Sequence, residues 1–560
     1  MSDARTLSDR RIRLLLAVLA LAFAISLGRA IWLQAVRAAP LASMAKTQHR
    51  QVVTLPARRG TIFDRSGVQL AIGEQRTTVY ADPRQVREPR RVAEAAARLL
   101  GVDSTKLLPA LADRRRAFVY VARQAEPEAA ARLAKLNLPG VGFYPEERRA
   151  YPQGPVAAHV LGYAGVDNRG LAGLERSLDG VLAGKPGSQT MVKDPFGRAI
   201  DVLDTRAERE GRDVYLTIDR HIQASAEAVL RKTVIDWRAK SASAVVLDPR
   251  TGAVLAMAVS PRFDANRFSD TPAARTRNRA VTDTYEPGST FKLVTVGGVL
   301  SEQIVTPRTP FRLPYQIHVA DRWIHDSHHR ETETMSVSEI LSRSSNVGTV
   351  TLALQLGEER LKRWLSRFGL GKPTGIDFPG ESGGIMPQWS GSTIGNVPIG
   401  QGIAVTPIQM ASIYAAIANR GVWVQPHLVD RVVGRPAQRL RERRLVGQGI
   451  AAQLSTMLRR VVGEGGTGTA AAIPGYTVAG KTGTAQKPDP RGGYSTTKYV
   501  ASFVGFVPAT RPELVILVSV DEPAKAIWGG VVAAPAFAAI AKFALQYLEV
   551  PPDTPVTAAE

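Results

Sequence analysis

The segment Tyr-Glu-Pro-Gly-Ser-Thr-Phe-Lys, residues 285–292, is the most informative part of this chain. The Glu-Pro-Gly before Ser289 ends a preceding segment, and Ser289 then opens a helix that places Ser289 and Lys292 on one face. A serine at a helix start lies near the positive end of the dipole, and its own amide is free to stabilise an oxyanion. A desolvated lysine one turn later loses affinity for its proton and can act as a base. The segment therefore predicts a serine nucleophile paired with a lysine base.

Two further patterns, each weak alone, follow this serine. The S-x-x-K spacing itself is not specific, since it also occurs at Ser43–Lys46 and Ser495–Lys498 without the helical context. Ser344-Ser345-Asn346 is the one S-x-N of the chain, and Lys481-Thr482-Gly483-Thr484 contains its one K-T-G. The three patterns in this order form a strong combined signal.

Hydrophobic patterns around these motifs predict an antiparallel sheet. Ser241–Val259 is two apolar strands joined by an Asp-Pro-Arg-Thr-Gly turn, and Tyr499–Val507 with Leu514–Asp521 forms a second hairpin. A helix is expected over Ala534–Tyr547. Strands at both ends of a helical middle predict an α+β domain, residues 213–548, in which distant segments close one sheet.

Composition limits the possible classes of protein. The chain has 560 residues, against roughly 150 in a typical domain, so two or more domains are expected. The absence of cysteine excludes disulfide frameworks, thiol nucleophiles and cysteine-ligated metal sites. The formal charge of +22 indicates anionic surroundings, whether nucleic acid, acidic lipid or another anionic polymer. A mean hydropathy of −0.08 excludes a polytopic membrane protein but permits one anchor.

Residues 14–36 predict a single transmembrane anchor after a cytoplasmic tail, residues 1–13. Counted through Arg29, the segment is about 34 Å long as a helix, enough to span a bilayer if the arginine snorkels or is paired. A cleaved signal peptide is the alternative, although small residues at cleavage spacing occur only downstream, at Ser43-Met44-Ala45. A slight excess of arginine before the segment favours a tail on the cytoplasmic side of the membrane and the rest of the chain on the outer side.

Residues 37–212 predict a mixed, β-rich domain with little that looks catalytic. Within it, Arg59 and Asp64 are interpreted as structural residues, and Glu175 as a member of an interdomain ion pair. The Pro-rich end of the chain, residues 549–560, predicts a disordered tail.

Two other chemistries match patterns in the chain. Gly475–Thr482 satisfies the G-x-x-x-x-G-K-[ST] pattern of a phosphate-binding loop, but the Gly- and Pro-rich residues after Lys481 cannot form the helix that such a loop requires. His325–His329 places four possible metal ligands in five residues, for which a solvated polar loop is the commoner explanation. The serine–lysine pair is therefore favoured over a metal site.

The ordered S-x-x-K, S-x-N and K-T-G motifs resemble those of the penicillin-binding proteins. The resemblance covers nearly the whole chain, because RGTIFDRSG at Arg59–Gly67 and the Tyr151–Glu175 segment look like the pedestal motifs of class B enzymes. The sequence segments TDTYEPGSTFK, SRSSNVG and VAGKTGTAQK are most similar to those of the division-specific, FtsI-type transpeptidases, with elongation-type enzymes as the close alternative. The resemblance implies one transmembrane helix, a β-rich pedestal of the dimerisation type, and a C-terminal penicillin-binding, β-lactamase-like domain with an antiparallel sheet flanked by helices.

The resemblance also implies a reaction. Ser289 would attack the carbonyl between the two terminal D-alanines of a peptidoglycan stem peptide, with Lys292 as base, and D-alanine would leave an acyl-enzyme. An amine of a neighbouring stem peptide would then close the crosslink, and β-lactams would acylate the same serine. Ser344 would relay the proton of the leaving group, and Asn346 would bond the substrate amide.

The K-T-G strand has implied roles in binding. Thr482 and Thr484 would hold the terminal carboxylate of the stem peptide, assisted by the charge of Lys481. Gly483 would let the substrate backbone approach. The amides of Ser289 and Thr484 would form the oxyanion hole.

Location and partners follow from the same resemblance. The anchor is expected in the bacterial inner membrane with the catalytic domain in the periplasm, and neither nucleic acid, metal nor organic cofactor is implied. The expected partners are a membrane glycosyltransferase of the shape, elongation, division and sporulation family and other divisome proteins. A β-lactam sensor or scaffold, acylated without transferase turnover, is the alternative from a different functional class.

Overall fold

A computed structural model describes residues 3–36, 50–193 and 199–555. The chain divides into two compact units, Met1–Ala57 with Gly184–Glu210, and Arg58–Ala183 with Gly211–Glu560. The strands in chain order are β1 (Arg50–Leu55), β2 (Ile62–Phe63), β3 (Gln69–Ala81), β4 (Val119–Ala125), β5 (Val141–Ala150), β6 (Tyr163–Ala164), β7 (Gly170–Ala172), β8 (Gly187–Lys193), β9 (Ala199–Arg206), β10 (Val214–Leu216), β11 (Ser241–Leu247), β12 (Val254–Ser260), β13 (Pro310–Leu313), β14 (Gln316–Val319), β15 (Arg322–His325), β16 (Glu333–Ser336), β17 (Val422–Val424), β18 (Val429–Val432), β19 (Glu442–Arg444), β20 (Ala479–Pro488), β21 (Tyr494–Val507) and β22 (Leu514–Asp521). The α-helices are Asp3–Ile31, Pro89–Leu100, Ser104–Ala112, Pro127–Ala134, Ala158–Leu161, Gly173–Ser177, Asp179–Leu182, Arg220–Asp236, Ala273–Thr276, Arg279–Thr282, Lys292–Ser301, Val337–Ser342, Asn346–Leu356, Glu358–Arg367, Thr393–Asn396, Pro407–Ala418, Gln448–Val462, Gly529–Val532 and Ala534–Tyr547. A π-helical segment covers Trp32–Val36, and 3-10 segments cover Ala265–Asp270, Gly288–Phe291, Val397–Ile399 and Thr469–Ala471.

The first unit begins with a long apolar helix. Its stretch Ile12–Ala35 has a mean hydropathy of 2.3 and is not buried against protein, so its length and composition suit a membrane span, as predicted for residues 14–36. The stretch Gly529–Tyr547, which covers the last two helices, passes the same test of length and composition, but it packs in the core of the second unit. The first unit also contains an antiparallel sheet in the order β1–β8–β9. The predicted domain 37–212 thus contributes to both units, and residues 37–49 lie outside the described residues.

The second unit is built on an antiparallel sheet in the order β12–β11–β22–β21–β20. Its β11–β12 and β21–β22 pairs are the two hairpins that the sequence predicts. Ser241 pairs with Asp521, so distant segments do close one sheet. β20 is the last strand in this order, and its outer edge is open in the described part of the chain.

Helices cover both faces of this sheet, which explains why β12 and β22 are apolar along most of their length instead of alternating. All residues of β11 and β12 are buried. One face packs against the helices Arg220–Asp236 and Ala534–Tyr547, and the other packs against Pro407–Ala418. The last helix has the predicted bounds.

A second sheet couples the pedestal to the catalytic region within the second unit. Its strand order is β18–β10–β2–β3–β4, and β5 also pairs with β3. Ile62 of β2 pairs in parallel with Val214 of β10, and β10 pairs with β18 on its other side. Backbone hydrogen bonds therefore cross the predicted boundary between residues 212 and 213.

A buried charge cluster holds the pedestal motifs together. Arg59 Nε donates to Glu175 Oε2 over 2.8 Å, and Arg149 Nε donates to Glu175 Oε1 over 2.6 Å. Arg59 Nη1 also donates to Asp179 Oδ1 over 2.7 Å. The prediction that Glu175 forms an interdomain ion pair is wrong, because both arginines belong to the pedestal segment 58–183. The structural interpretation of Arg59 agrees with its complete burial in this cluster.

Glu175→Ala should lower the free energy of unfolding by about 3–5 kcal/mol, because it removes the carboxylate that two buried guanidinium groups share and leaves Arg59 with Asp179 alone. Circular dichroism of the detergent-solubilised full-length chain would report this loss as a lower Tm. Asp113→Ala is the matched control, since Asp113 pairs with Arg115, whose side chain is exposed, and should change the Tm little. Equal melting temperatures for the two variants would contradict the structural role of the cluster.

The end of the chain is more ordered than its composition predicts. The Asp553 carboxylate accepts a hydrogen bond from the Thr477 amide over 2.7 Å and further bonds from the hydroxyls of Thr477 and Thr510. The Val550 amide donates to Leu545 O over 2.9 Å. Disorder is therefore the wrong prediction for residues 549–553, because the hydrogen bonds of the half-buried Asp553 carboxylate and of the Val550 amide hold this segment. Residues 556–560 lie outside the described residues.

Candidate active site

Ser289 lies in a single 3-10 turn, Gly288–Phe291, that leads directly into the α-helix Lys292–Ser301. The predicted helix start is confirmed, with a tighter first turn in which residues three apart eclipse. Gly288 has a left-handed φ of 53°, and its amide donates to Gly400 O over 3.1 Å. A Cβ on Gly400 would lie 2.2 Å from Gly288 O, so the absence of a side chain lets the two backbones touch. This contact fixes the turn that presents the half-buried Ser289.

Lys292, the predicted base, is fully buried. Its Nζ donates to the Ser344 carbonyl over 2.6 Å, to Asn346 Oδ1 over 2.7 Å and to Ser344 Oγ over 3.2 Å. Loss of hydration lowers the pKa of Lys292 from 10.5 to about 7, and the negative charge of Asp326 partly opposes that shift. A sizeable fraction of the neutral amine therefore exists near neutral pH, and the neutral amine is the form that can accept a proton.

The S-x-N motif connects two helices, Val337–Ser342 and Asn346–Leu356. Ser344 occupies the left-handed region with a φ of 61°, uncommon for a serine, and its hydroxyl lies between two amines. Ser344 Oγ accepts hydrogen bonds from Lys292 Nζ over 3.2 Å and from Lys481 Nζ over 3.0 Å. A hydroxyl placed between two amines is well positioned to relay a proton.

Lys481 is fully buried in β20, the edge strand of the sheet. Burial, together with the nearby charge of Lys292, holds the pKa of Lys481 well below its ordinary value of 10.5. Besides the bond to Ser344, its Nζ donates to the carbonyl and the hydroxyl of Thr482, each over 3.2 Å. Hydrogen bonds thus bring Lys292, Ser344, Asn346 and Lys481 into one cluster directly below the serine turn.

Gly483 permits a close contact inside the protein, in addition to the substrate approach that the resemblance implies. A Cβ on Gly483 would lie 2.3 Å from Ser502 Oγ, 2.9 Å from Pro287 O and 2.9 Å from Thr290 Cγ2. The close approach that this glycine permits is therefore between β20 and the turn carrying Ser289. A side chain at residue 483 would therefore disturb this packing even before a substrate binds.

The two threonines of the K-T-G strand follow the alternation of a β-strand and share a face. The Thr482 hydroxyl bonds the Thr467 hydroxyl over 2.8 Å, and Thr484 Oγ1 accepts from the Gly529 amide over 3.0 Å. The Thr484 carbonyl is 3.0 Å from the position of a Cβ on Gly288, which places Thr484 beside the serine turn. Both hydroxyls thus bond to protein groups on one face of β20.

Asp326 is a site residue that sequence reasoning missed. It is 6% exposed, and its Oδ1 accepts from the amides of Asn346 over 2.6 Å and Val347 over 3.1 Å. Both of its carboxylate oxygens also accept from Ser345 Oγ over 3.0 Å, and Arg330 Nη2 donates to Oδ2 over 2.7 Å. The carboxylate therefore caps the helix that begins at Asn346. The sequence favours a solvated polar loop for its segment, His325–His329, and no local pattern marks Asp326 as the cap of a helix.

Asp326→Ala should lower the second-order rate constant for acylation by a β-lactam by roughly 10- to 100-fold, since small displacements of site groups are costly. The expected cause is loss of the contacts that hold Asn346 and, beside it, Ser344. Stopped-flow measurement with a fluorescent penicillin would test this. Asp321→Ala is the matched control, because Asp321 is an exposed residue in the turn between β14 and β15. An unchanged rate constant for Asp326→Ala, or an equal loss in the control, would contradict the positioning role.

The phosphate-loop pattern, the possible metal ligands and the described second S-x-x-K pattern lack the structural context that their chemistry would need. Lys481 lies in a strand and not at a helix start, so Gly475–Thr482 lacks the context of a phosphate-binding loop. Among the described residues, no group of three or more His, Cys, Asp and Glu side chains is arranged to hold a metal ion. Ser495–Lys498 lies in β21, and Ser43–Lys46 falls outside the described residues.

Comparison with known proteins agrees with this geometry. Residues 242–542 match the model of the penicillin binding protein transpeptidase domain, and residues 54–216 match that of the penicillin-binding protein dimerisation domain. The chain is 36% identical to the peptidoglycan D,D-transpeptidase FtsI of Escherichia coli K12, over 98% of this chain and 93% of that one. It is 35% identical to penicillin-binding protein PbpB of Mycolicibacterium smegmatis, over 94% of this chain and 89% of that one. The crystal structure of penicillin binding protein 3 from Mycobacterium tuberculosis with aztreonam superposes with a TM-score of 0.71 at 32% identity, covering 90% of this chain and 99% of that one.

The fold and the site define a penicillin-binding transpeptidase with an N-terminal dimerisation domain. This combination separates it from enzymes that carry the transpeptidase domain alone. The chain belongs to the class B penicillin-binding proteins of the FtsI type.

Proposed function

We propose that this protein crosslinks peptidoglycan stem peptides during septal wall synthesis, as a D,D-transpeptidase that forms an acyl-enzyme on Ser289. The observation that carries the proposal is the buried hydrogen-bonded cluster of Lys292, Ser344, Asn346 and Lys481 below the serine turn. The name of the E. coli relative, peptidoglycan D,D-transpeptidase FtsI, supports the same activity.

Acylation would use the neutral amine of Lys292. That amine takes the Ser289 proton while the oxygen attacks the carbonyl between the terminal D-alanines, and the carbonyl electron pair moves onto an oxyanion held by the amides of Ser289 and Thr484. Collapse of the tetrahedral intermediate breaks the peptide bond, and the nitrogen of the leaving D-alanine takes a proton relayed through Ser344.

Deacylation would reverse these proton movements with a different amine. The acceptor amine of a second stem peptide attacks the ester carbonyl and gives a proton through Ser344 to Lys292. The bond between the carbonyl carbon and the Ser289 oxygen then breaks, and Lys292 returns the proton to that oxygen. The donor peptide would lie along the open edge of β20, where Thr482, Thr484 and the charge of Lys481 would hold its terminal carboxylate. Asn346 would bond the substrate amide.

The same proposal assigns the location and partners. The apolar helix would anchor the chain in the bacterial inner membrane, with residues after it in the periplasm. The pedestal and the anchor would contact a membrane glycosyltransferase of the shape, elongation, division and sporulation family, together with other divisome proteins. The +22 charge would then face anionic lipid and wall polymer. The proposed domains are a tail over 1–13, an anchor over 14–36, a pedestal over 37–212 and a catalytic domain from 213.

The test of the activity is turnover of the full-length protein with a donor stem pentapeptide and an amine acceptor. Mass spectrometry should detect released D-alanine and crosslinked product in equal amounts. An acyl-enzyme without crosslinked product would favour the sensor or scaffold function instead. The septal assignment is tested by depletion in cells, where filaments are expected and rounded cells would favour the elongation-type role.

A further inference from the structure

His328 differs from its histidine neighbours in what its ring contacts. The rings of His325 and His329 pack against Tyr315, with centroids 5.7 and 4.8 Å apart. The His328 ring instead stacks against Trp528, with centroids 5.8 Å apart and an interplanar angle of 25°. His328 and Trp528 are far apart in the chain and come from different elements, so this contact joins two parts of the catalytic region.

The two rings belong to opposite walls of the catalytic cleft. His328 lies in the loop between β15 and β16, which is attached to the S-x-N wall because Asn346 Nδ2 donates to His325 O over 3.0 Å. Trp528 precedes Gly529, whose amide donates to Thr484 Oγ1 over 3.0 Å on the β20 wall. The ring stack therefore bridges the wall carrying Asn346 and the wall carrying Thr484.

The bridge lies on the solvent side of the site. Trp528 is 44% exposed and His328 is also exposed, whereas the inner contact between the same walls, Lys481 Nζ to Ser344 Oγ, is buried. A donor that adds along the open edge of β20 occupies the space between these walls. The two exposed rings therefore meet on the outer side of the space that such a donor would use.

We propose that His328 and Trp528 form an aromatic gate across the mouth of the cleft, and that this gate determines which acyl donors reach Ser289 by their bulk. The inference rests on the proposed function, since it concerns entry of the acyl donor. Aromatic contacts of this kind shift an equilibrium by roughly two- to tenfold. A slim donor needs less separation of the rings than a bulky one, so the gate should discriminate between them by a factor in that range.

The experiment compares two acylating probes on the full-length protein. One is 6-aminopenicillanic acid, which has no acyl side chain, and the other is a penicillin carrying a bulky fluorescent dye. The measured quantity is the ratio of their second-order acylation rate constants, bulky over slim, obtained by intact-protein mass spectrometry. In His328→Ala and in Trp528→Ala this ratio should rise by roughly two- to tenfold. The double variant should show no larger rise than either single variant, because either substitution alone removes the stack.

Trp323→Ala is the matched control. Trp323 is 61% exposed on the same wall and its ring packs against His318 instead of crossing the cleft. Its substitution should leave the ratio as in the wild type. Equal ratios in the wild type and both gate variants would overturn the gate, and so would an equal rise in the Trp323 control. Absence of acylation in the wild type would overturn the proposed function as well, whereas normal acylation with an unchanged ratio would overturn the gate alone.

Discussion

Ser289→Ala should abolish covalent labelling by fluorescent penicillin and lower crosslinking turnover by roughly 10⁴-fold or more. The reason is that the variant keeps the buried amines of Lys292 and Lys481 but has no oxygen at the head of the 3-10 turn to carry the acyl group. The fold should survive, since the Ser289 side chain is half-buried and the turn is held by the contact of Gly288 with Gly400. In-gel fluorescence and peptide mass mapping after labelling would measure the effect.

The chain provides a matched control for this substitution in Ser495, which has the same S-x-x-K spacing. The Ser495 hydroxyl accepts hydrogen bonds from the amides of Thr497 over 3.3 Å and Lys498 over 3.1 Å, so it has a local structural role in β21. Ser495→Ala should therefore label normally. Equal labelling of the wild type and Ser289→Ala would show that the nucleophile is a different residue.

The features that the sequence predicted correctly depend on local patterns. The β11–β12 and β21–β22 hairpins carry apolar runs separated by turn residues, and the helix Ala534–Tyr547 has a clear period. The S-x-x-K, S-x-N and K-T-G motifs were recognisable because each is contiguous in the chain. The proximity of the three motifs depends on the fold, and the resemblance to a known family was what predicted that fold.

The features that were missed depend on contacts between distant residues. Asp326 caps a helix that begins 20 positions later, and nothing in its own neighbourhood distinguishes it from a solvated carboxylate. Gly483 is explained by the position of Pro287 and Ser502, and the pairing of Glu175 depends on Arg59 and Arg149. The Asp553 contact ordered a segment whose composition predicted disorder. One sequence without its fold does not specify such pairings, because hydrophobic period and turn chemistry say nothing about which polar groups meet.

The acylation rate should rise with pH and level off above a midpoint near pH 7, because the pKa of Lys292 is lowered to about 7 by burial. Below the midpoint the amine is protonated and cannot accept the Ser289 proton, and above it the amine is neutral and active. Lys481 is bonded to the same Ser344 hydroxyl, so the midpoint describes the coupled pair of lysines. Asp326→Asn should move the midpoint to lower pH, since the negative charge that raises the pKa of Lys292 is removed.

Lys292→Arg is the strongest test of this base, with an expected loss of roughly 10²- to 10⁴-fold in the acylation rate constant. The substitution keeps a positive charge, but a guanidinium does not lose its proton in the working pH range and cannot act as a base. Lys498→Arg, the lysine of the other described S-x-x-K pattern, should acylate like the wild type. The rate constants would be measured by stopped flow from about pH 5 to 9, with circular dichroism confirming that each variant is folded. A folded Lys292→Arg variant with the wild-type rate and pH profile would rule out Lys292 as the base, and Lys481, whose amine bonds the same hydroxyl, would then be the next residue to test.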